Sequence, residues 1–490
     1  MWNRLNTSMM FCQSMFGLSF YGVMVVLTRF FLEELNYSEA DTMMVVGAFS
    51  AVGPLFAIAG GFIADKFLGS YRSLTISFIG FSAGYALLVY GASSLNIQMS
   101  LSGIALASYA AGLMAPSYPS LYRKTFQSQG DFENAYPVNY SVKNLGAVIG
   151  QYSYPMLIFV IGYKGSFALS AVMAGIGLVV LLLFRKSLVN LSQGIDVQPV
   201  GIKNWCLFLI TSAAMIALVF FMFSNMDIGK NIVYAIGSAA ILYFVSLMLK
   251  APRAEKIKMG TILIMTALTT VFLVYYGQIM TSMTMVTINV MRGDLFGIIP
   301  IAPEAAMAMN PLWCMVAGPV IAYVFSGLEK RGIRFTTSTK VAMAFALTAI
   351  AFGILTASVL TIGEDVIIPP EVFLVVHFFQ SFAEVIVGAM VVAFILSVAP
   401  KHIENFSVSL YSVAVALSGI IGAVFSTSIA MDKDQVMTQK IVHDVYGNYF
   451  SLLTIMALVM VVVALVCSGI IRRMLSKADM EEHQLEMSEA

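Results

Sequence analysis

Two ionisable side chains lie deep inside long apolar runs of the sequence. Lys143 falls inside a run at 138–161, and Glu384 falls inside a run at 369–397. Glu384 is about 13 residues from Glu371 at the outer end of its run, which is about 20 Å of helix and close to the middle of a bilayer. A charge at that depth costs about 2.5–3.5 kcal/mol on insertion scales, so such a residue is a candidate for function. The pair predicts a zwitterion site, with Lys143 binding a carboxylate and Glu384 an amine.

Two other interpretations of these charges remain open at this point. Lys143 and Glu384 could pair with each other, or Lys143 with backbone carbonyls, and serve packing alone. Lys143 could also extend from a shorter span towards the membrane surface.

A polar stripe precedes Glu384 on the same helix. His377 lies two turns earlier, and Gln380 and Ser381 stand between the two at helical spacing. Histidine titrates near pH 6.5, so this stripe predicts a path along which a proton reaches Glu384 from outside. A hydrogen-bonded structural histidine is the alternative.

The composition identifies the elements that must position these residues. Hydrophobic residues make up 59% of the 490 residues and charged residues 11%, whereas soluble domains carry about 25% charged residues. We therefore predict an all-α polytopic membrane protein. Its fourteen apolar runs are at 8–32, 43–64, 71–92, 98–121, 138–161, 166–185, 203–224, 231–249, 259–290, 309–328, 337–361, 369–397, 405–430 and 446–473.

The distribution of cations predicts the orientation. With both termini in the cytoplasm, 20 of the 27 Lys and Arg residues fall on the cytoplasmic side, as the positive-inside rule requires. Lys143 lies within a span, and the cations left on the outer side are Arg29, Lys164, Lys230, Arg292, Lys433 and Lys440.

Polar breaks divide the runs into six, two and six. We predict an N-terminal six-helix bundle at 1–190, a linker with two extra helices at 191–258, a C-terminal bundle at 259–475 and an acidic cytoplasmic tail at 476–490. Two six-helix halves around a midplane site are typical of secondary transporters.

Sequence motifs support this interpretation. The short basic loop Gly61-xxx-Asp65-Lys66-xx-Gly69-xx-Arg72 resembles the loop signature of the major facilitator superfamily. Further stretches in register resemble the proton-dependent oligopeptide transporter family. They are Phe20-Tyr21-Gly22, Gly112–Pro116, Asn139–Ala147, Phe272–Ser282, Asn310-Pro311-Leu312, Glu384 and Ala399-Pro400-Lys401.

This resemblance implies a set of functional residues. Tyr21, Asn144, Gln278 and Asn310 match pocket positions of the family, so we expect them to line the substrate site with Lys143 and Glu384. Glu384 and His377 are the expected proton-coupling residues. The loop residues Gly61, Asp65, Lys66, Gly69 and Arg72 are expected to act in gating or structure at the cytoplasmic rim.

Several of the family's charged positions are absent from this sequence. The ExxER motif is replaced by Gln13-Ser-Met-Phe16-Gly17, the following arginine by Met24, the fourth-helix lysine by Ala115 and the seventh-helix acid by Gly277. Family members are thought to use these groups for proton coupling and for the peptide carboxylate.

The expected function is proton-coupled transport of di- or tripeptide-like zwitterions across the bacterial inner membrane. The alternatives are a transporter of another organic solute, such as an organic anion, siderophore or drug, and a receptor-like protein that binds without transport. We expect no cofactor, metal or nucleic-acid partner. The expected partners are the solute, protons and the lipid bilayer. An enzyme is disfavoured because the sequence has no HExxH, GxSxG or GxxxxGK[ST] motif.

Overall fold

The computed structural model describes residues 3–191, 196–432 and 435–489. Lys433, one of the predicted outer cations, lies outside these ranges. Within them, thirteen continuous helices are long and apolar enough to cross a membrane, and one of these covers two of the predicted spans. The predicted all-α membrane architecture of six, two and six spans is therefore confirmed.

The first six spans are built from five long helices. Helix α5 contains the fifth and sixth predicted spans. The helices are α1 Arg4–Arg29, α2 Glu39–Ile63, α3 Ser70–Ser94, α4 Ile97–Arg123 and α5 Gln129–Leu183, with π-helical turns at Phe30–Glu34 and Ala64–Leu68 that extend α1 and α2.

Helix α5 is interrupted at Gly162. This residue has φ +67° and ψ 178°, a backbone conformation that glycine adopts without steric cost. The break divides α5 into two segments, which correspond to the predicted spans at 138–161 and 166–185.

The central segment contains a short helix and a pair of apolar helices. They are α6 Arg185–Asn190, α7 Ile202–Ser224 and α8 Met226–Lys250. Helix α7 packs on α4, where the Ser212 and Tyr109 hydroxyls lie 2.5 Å apart. Helix α8 packs on the later helices, and its Phe244 contacts Phe406.

The last six spans begin at Arg253. They comprise α9 Arg253–Gly277, α10 Ser282–Val290, α11 Met309–Lys330, α12 Thr337–Leu360, α13 Pro370–Val398, α14 Glu404–Ser426, the short α15 Gln439–Val442 and α16 Asn448–Glu489. Short 3₁₀ or π turns lie at Pro303–Ala308, Lys401–Ile403, Thr427–Ile429 and His443–Gly447.

A small antiparallel hairpin connects α10 to α11. Its strands are β1 Asp294–Leu295 and β2 Ile299–Pro300. The hairpin lies at the end of the bundle opposite to the chain termini. We call that end the outer end and the termini-bearing end the inner end, following the predicted orientation.

Two predicted boundaries differ from the structure. The ninth span was expected to begin at 259 and run unbroken to 290, whereas α9 begins at Arg253 and a turn at 278–281 separates it from α10. The tail expected from 476 is a continuation of α16, because its Ala, Glu, Leu, Met and Gln residues are strong helix formers. The division into domains at 190, 258 and 475 stays a prediction.

Candidate functional site

Close packing between α1 and α5 positions Lys143. A Cβ atom on Gly17 would lie 2.4 Å from the Lys143 carbonyl oxygen, and one on Gly146 would lie 2.3 Å from the Ser14 carbonyl oxygen. Only glycine permits this approach of the two backbones, as in other membrane helix pairs. The contact brings the Lys143 side chain against the aromatic residues of α1.

Aromatic rings surround the Lys143 ammonium group. Nζ lies 5.5 Å from the centroid of the Tyr21 ring and 5.9 Å from that of Phe16, both within cation–π range. Lys143 forms no ion pair with any residue that the structure describes. The side chain is half-buried, so its charge remains available to a ligand.

Hydrogen bonds between α11 and α13 hold Glu384 in place. Its Oε2 atom accepts a hydrogen bond of 3.0 Å from the Asn310 side-chain amide and one of 3.4 Å from the Cys314 thiol. The Asn310 amide also donates to Ser381 Oγ at 3.0 Å, and Ser381 returns a bond to the Asn310 carbonyl at 2.9 Å. Asn310 therefore fixes one oxygen of the carboxylate instead of standing free in the site.

Lys143 and Glu384 face a common region of the molecule. They are within electrostatic reach of each other, and Tyr21, Tyr140 and Tyr276 lie around them. No ion pair joins the two charges among the described residues. The predicted alternative in which Lys143 and Glu384 pair directly is therefore not what the structure contains.

Gln278 is placed differently from the prediction. It is fully buried, and its Oε1 accepts hydrogen bonds from Ser282, Ser426 and Tyr449 at 2.6, 2.9 and 2.6 Å. Its Nε2 donates to the carbonyl oxygens of Val274 and Gly422. Because all its polar atoms are occupied within the bundle, Gln278 joins α9, α14 and α16 and presents no free group to a substrate in this conformation.

The remaining predicted polar residues are only partly satisfied. Asn144 is buried and its Nδ2 has no hydrogen-bond partner among the described residues. His377 is 2% exposed, and neither its Nδ1 nor Oε1 of the nearby Gln380 has such a partner. The Gln380 amide donates instead to the sulfur of Met283 at 3.2 Å.

The predicted loop motif lies at the inner end of the bundle, away from Lys143 and Glu384. Asp65 and Lys66 are exposed, and Gly69 adopts φ +81°. Arg72 donates to the carbonyl oxygens of Leu68 and Gln198, at 3.0 and 2.7 Å. The motif therefore binds the linker after α6 in this structure.

Asp196 provides a second attachment of that linker. It accepts a hydrogen bond of 3.1 Å from the Tyr71 amide and pairs with Lys124 at 2.5 Å. Both inner contacts stay within the first six spans and the linker.

Contacts between the first six and the last six spans are found at the outer end. Arg29 pairs with Glu304 at 3.1 Å. Asn289 donates to Glu39 at 3.1 Å, and the Tyr152 hydroxyl donates to the Pro300 carbonyl at 3.0 Å. The outer ends of the two sets of helices are thus joined by polar contacts.

Comparison with known proteins places this geometry in a family. Residues 9–423 match the Major Facilitator Superfamily. The chain belongs to this superfamily. The expected resemblance to the superfamily is therefore confirmed.

Beyond the superfamily, the chain is similar over most of its length to peptide permeases and to solved peptide-transporter structures. The dipeptide and tripeptide permease B of Salmonella typhimurium is 25% identical over 471 residues, covering 94% of each chain. The permease of the same name from Yersinia enterocolitica is 26% identical over 453 residues, covering 90% of each chain. The crystal structure of tetrameric PepTSo2 superposes with a TM-score of 0.85 at 23% identity, covering 96% of this chain and 98% of that one.

Three neighbours of the charged pair were not predicted as site residues. Cys314 lies in the apolar run at 309–328 and was not predicted to bind any group, yet its thiol contacts Glu384. Phe16 was noted only as part of a lost motif, yet its ring faces Lys143. Tyr276 lies two residues before the predicted Gln278, next to the end of α9 at Gly277, and its side chain is close to Glu384.

Proposed function

We propose that this protein is a secondary active transporter of small peptides or peptide-like zwitterions, which it moves across the inner membrane by alternating access with proton coupling. The names of the full-length relatives, which are dipeptide and tripeptide permeases, support the substrate class. The membership in the superfamily supports transport across a membrane.

One observation carries the proposal. A cation on α5 and an acid on α13 are half-buried, have no ionic partner among the described residues and lie within electrostatic reach of each other, with three tyrosines near them. The two opposite charges complement the carboxylate and the ammonium of a zwitterion. Because they belong to different sets of six spans, a ligand that binds both would draw the two sets together.

Alternating access follows from where the two sets are joined. Two polar contacts, Arg29–Glu304 and Glu39–Asn289, connect the two sets at the outer end. The contacts described for Arg72 and Asp196 at the inner end are within the first six spans and the linker. This arrangement supports a state that is closed towards the outside. The cycle requires the outer contacts to break when the site opens to that side.

Proton coupling is assigned to Glu384, with His377 as the residue that passes the proton. Glu384 accepts hydrogen bonds and has no cation in contact among the residues that the structure describes, and this arrangement allows the carboxylate to exchange a proton for a substrate amine. His377 stands two turns towards the outer end on the same helix with Nδ1 free of a described partner.

The test is uptake of labelled di- and tripeptides into proteoliposomes, with and without an inward proton gradient. We expect accumulation above equilibrium only when the gradient is present. Absence of uptake by a preparation whose thermal unfolding is cooperative would refute peptide transport. Equal uptake with and without the gradient would refute the coupling.

A second candidate function is transport of a non-peptide organic solute. It is favoured by the absence of charged residues at Met24, Ala115 and Gly277, which leaves Lys143, among the described residues, as the cation close to Glu384. Competition distinguishes the two functions. If peptides are the substrate, unlabelled peptides reduce the uptake of a labelled test solute. If another solute is the substrate, only that solute and its analogues reduce the uptake.

A further inference from the structure

A cavity separate from the candidate site lies at the inner end of the last six spans. Its volume is about 580 Å³, and it is lined by the start of α12, the end of α13 and the turns of α16 that follow the apolar part of that helix. The lining residues are Thr336, Thr337, Ser338, Phe394, Ile471, Arg472, Leu475, Ser476, Asp479 and Met480.

The cavity lies at the boundary between apolar and polar parts of these helices. The apolar run of α16 ends at Ile471 and is followed at once by Arg472 and Arg473. Phe394 and Ile471 form the wall towards the apolar part of the bundle. A ligand in this cavity would therefore contact both the hydrocarbon and the headgroup layers of a bilayer.

The polar wall carries hydroxyl groups at the start of α12. The Ser338 and Ser468 hydroxyls lie 2.9 Å apart, and Thr336 Oγ1 accepts a hydrogen bond of 3.3 Å from the Thr339 amide. Thr337 adds a further hydroxyl to the lining. Hydroxyls of this kind donate to phosphate oxygens.

Two opposite charges line the same cavity. Arg472 and Asp479 are seven residues apart on α16, two turns along one face, and both are exposed. Neither forms an ion pair with a described residue, whereas the nearby Glu481 pairs with Arg253 at 3.0 Å. A simple anion would satisfy Arg472 and be repelled by Asp479, so the lining is complementary to a headgroup that carries both charges.

We propose that this cavity binds a phospholipid of the inner leaflet whose headgroup contains a phosphate and a primary ammonium, as in an ethanolamine phospholipid. The phosphate contacts Arg472 and the hydroxyls of α12, and the ammonium contacts Asp479. The acyl chains lie along Phe394 and Ile471. The lipid joins α12 and α16 to α13, the helix that carries Glu384 ten residues from Phe394.

Headgroup chemistry distinguishes this ligand from other phospholipids. A choline headgroup has no N–H with which to donate a hydrogen bond to Asp479. A glycerol headgroup carries no cation, so its phosphate would leave Asp479 unpaired. Both share the acyl chains and the phosphate, and they are therefore matched probes.

The test is native mass spectrometry of the delipidated full-length protein titrated with ethanolamine, choline and glycerol phospholipids of identical acyl chains. We expect the ethanolamine lipid to bind about tenfold more tightly than the other two, as befits one charge-assisted hydrogen bond. Arg472→Gln should weaken all three lipids about tenfold, and Asp479→Asn should remove the preference for ethanolamine. Arg473→Gln is the matched control, because Arg473 does not line the cavity, and it should bind as the wild type does.

Three results would overturn the proposal: equal affinity for the three lipids, unchanged binding by Arg472→Gln, or an equal loss in Arg473→Gln. Glycerophosphoethanolamine and inorganic phosphate distinguish a lipid site from a site for a soluble anion, since binding of either as tightly as the lipid would also refute it. Thermal unfolding in detergent without added lipid checks that each variant is folded. The measurement is of binding alone, so its outcome is independent of whether peptides are transported.

Discussion

The two charged groups of the candidate site are held in opposite ways. Glu384 is fixed by hydrogen bonds from Asn310 and Cys314, and Ser381 braces Asn310 in turn. Lys143 has aromatic faces around its ammonium group and no ionic partner among the described residues. One pole of the site is a rigid acceptor, and the other is a flexible cation on a four-carbon stem.

The difference indicates a division of labour between the two halves of the site. A fixed carboxylate defines the position of a ligand's ammonium group, because one of its oxygens cannot turn away. A lysine held by ring faces can reach carboxylates at different distances, since cation–π contacts are less directional than hydrogen bonds. The arrangement suits ligands that share an amino end but differ in length.

Loss of the fixed pole should have the largest effect. We expect Glu384→Gln to lower the initial rate of uptake at least about 100-fold, because it removes the acceptor of the ammonium and the proton together. The rate is measured in proteoliposomes at equal protein content. Glu364→Gln, in the exposed loop before α13, should leave uptake unchanged; wild-type uptake by Glu384→Gln would show that the acid has no part in transport.

Removal of the flexible pole should affect only part of the ligand set. We expect Lys143→Ile to raise the KM for free-acid peptides about 10–100-fold and to leave the affinity for peptide amides nearly unchanged. Competition against a labelled substrate measures both. An equal loss for acids and amides would contradict the assignment of Lys143 to the carboxylate.

The role of Asn310 as a positioning residue predicts a smaller and conditional effect. We expect Asn310→Ala to lower kcat/KM about tenfold, because Glu384 loses a hydrogen bond that fixes one oxygen. In the Glu384→Gln background the same change should add little further loss, since the two residues act together. Additive losses would indicate that Asn310 binds the substrate directly.

The aromatic support of Lys143 should contribute least. We expect Phe16→Leu to raise the KM about 2–5-fold, which matches a cation–π contact at an accessible site. Phe20→Leu is the control, because Phe20 stacks on Phe16 without facing Lys143. Equal effects of the two changes would mean that packing of α1, and not the cation contact, is what Phe16 supplies.

Local sequence patterns were sufficient to predict the fold but not the partners of the polar residues. Apolar runs predict membrane helices because the bilayer requires every backbone group to be bonded within its helix. They do not reveal which side chains meet. Asn310 and Glu384 were each predicted as site residues, but their hydrogen bond joins positions 74 residues apart and depends on how α11 packs on α13.

Gln278 is a second residue whose partners could not be predicted from the local sequence. A glutamine within an apolar run suggests a ligand-binding group, whereas its partners Ser426 and Tyr449 come from helices far along the chain. Cys314 was missed because a thiol next to apolar residues has no distinctive pattern. The turn at 278–281 was also missed, whereas the boundary at the glycine at 162 was predicted.

The two extra helices have a mechanical consequence. Helix α7 is bound to α4 through Tyr109 and Ser212, and α8 is packed against α14 through Phe244 and Phe406, so the pair spans both sets of helices. Its two limbs meet at Asn225, where Gly229 packs directly against the backbone of Met222. A rotation of one set of helices against the other would therefore be expected to change the angle between α7 and α8 at this turn. A spectroscopic probe placed at Asn225 would therefore report the relative movement of the two sets of helices during transport. Its position is outside the candidate substrate site.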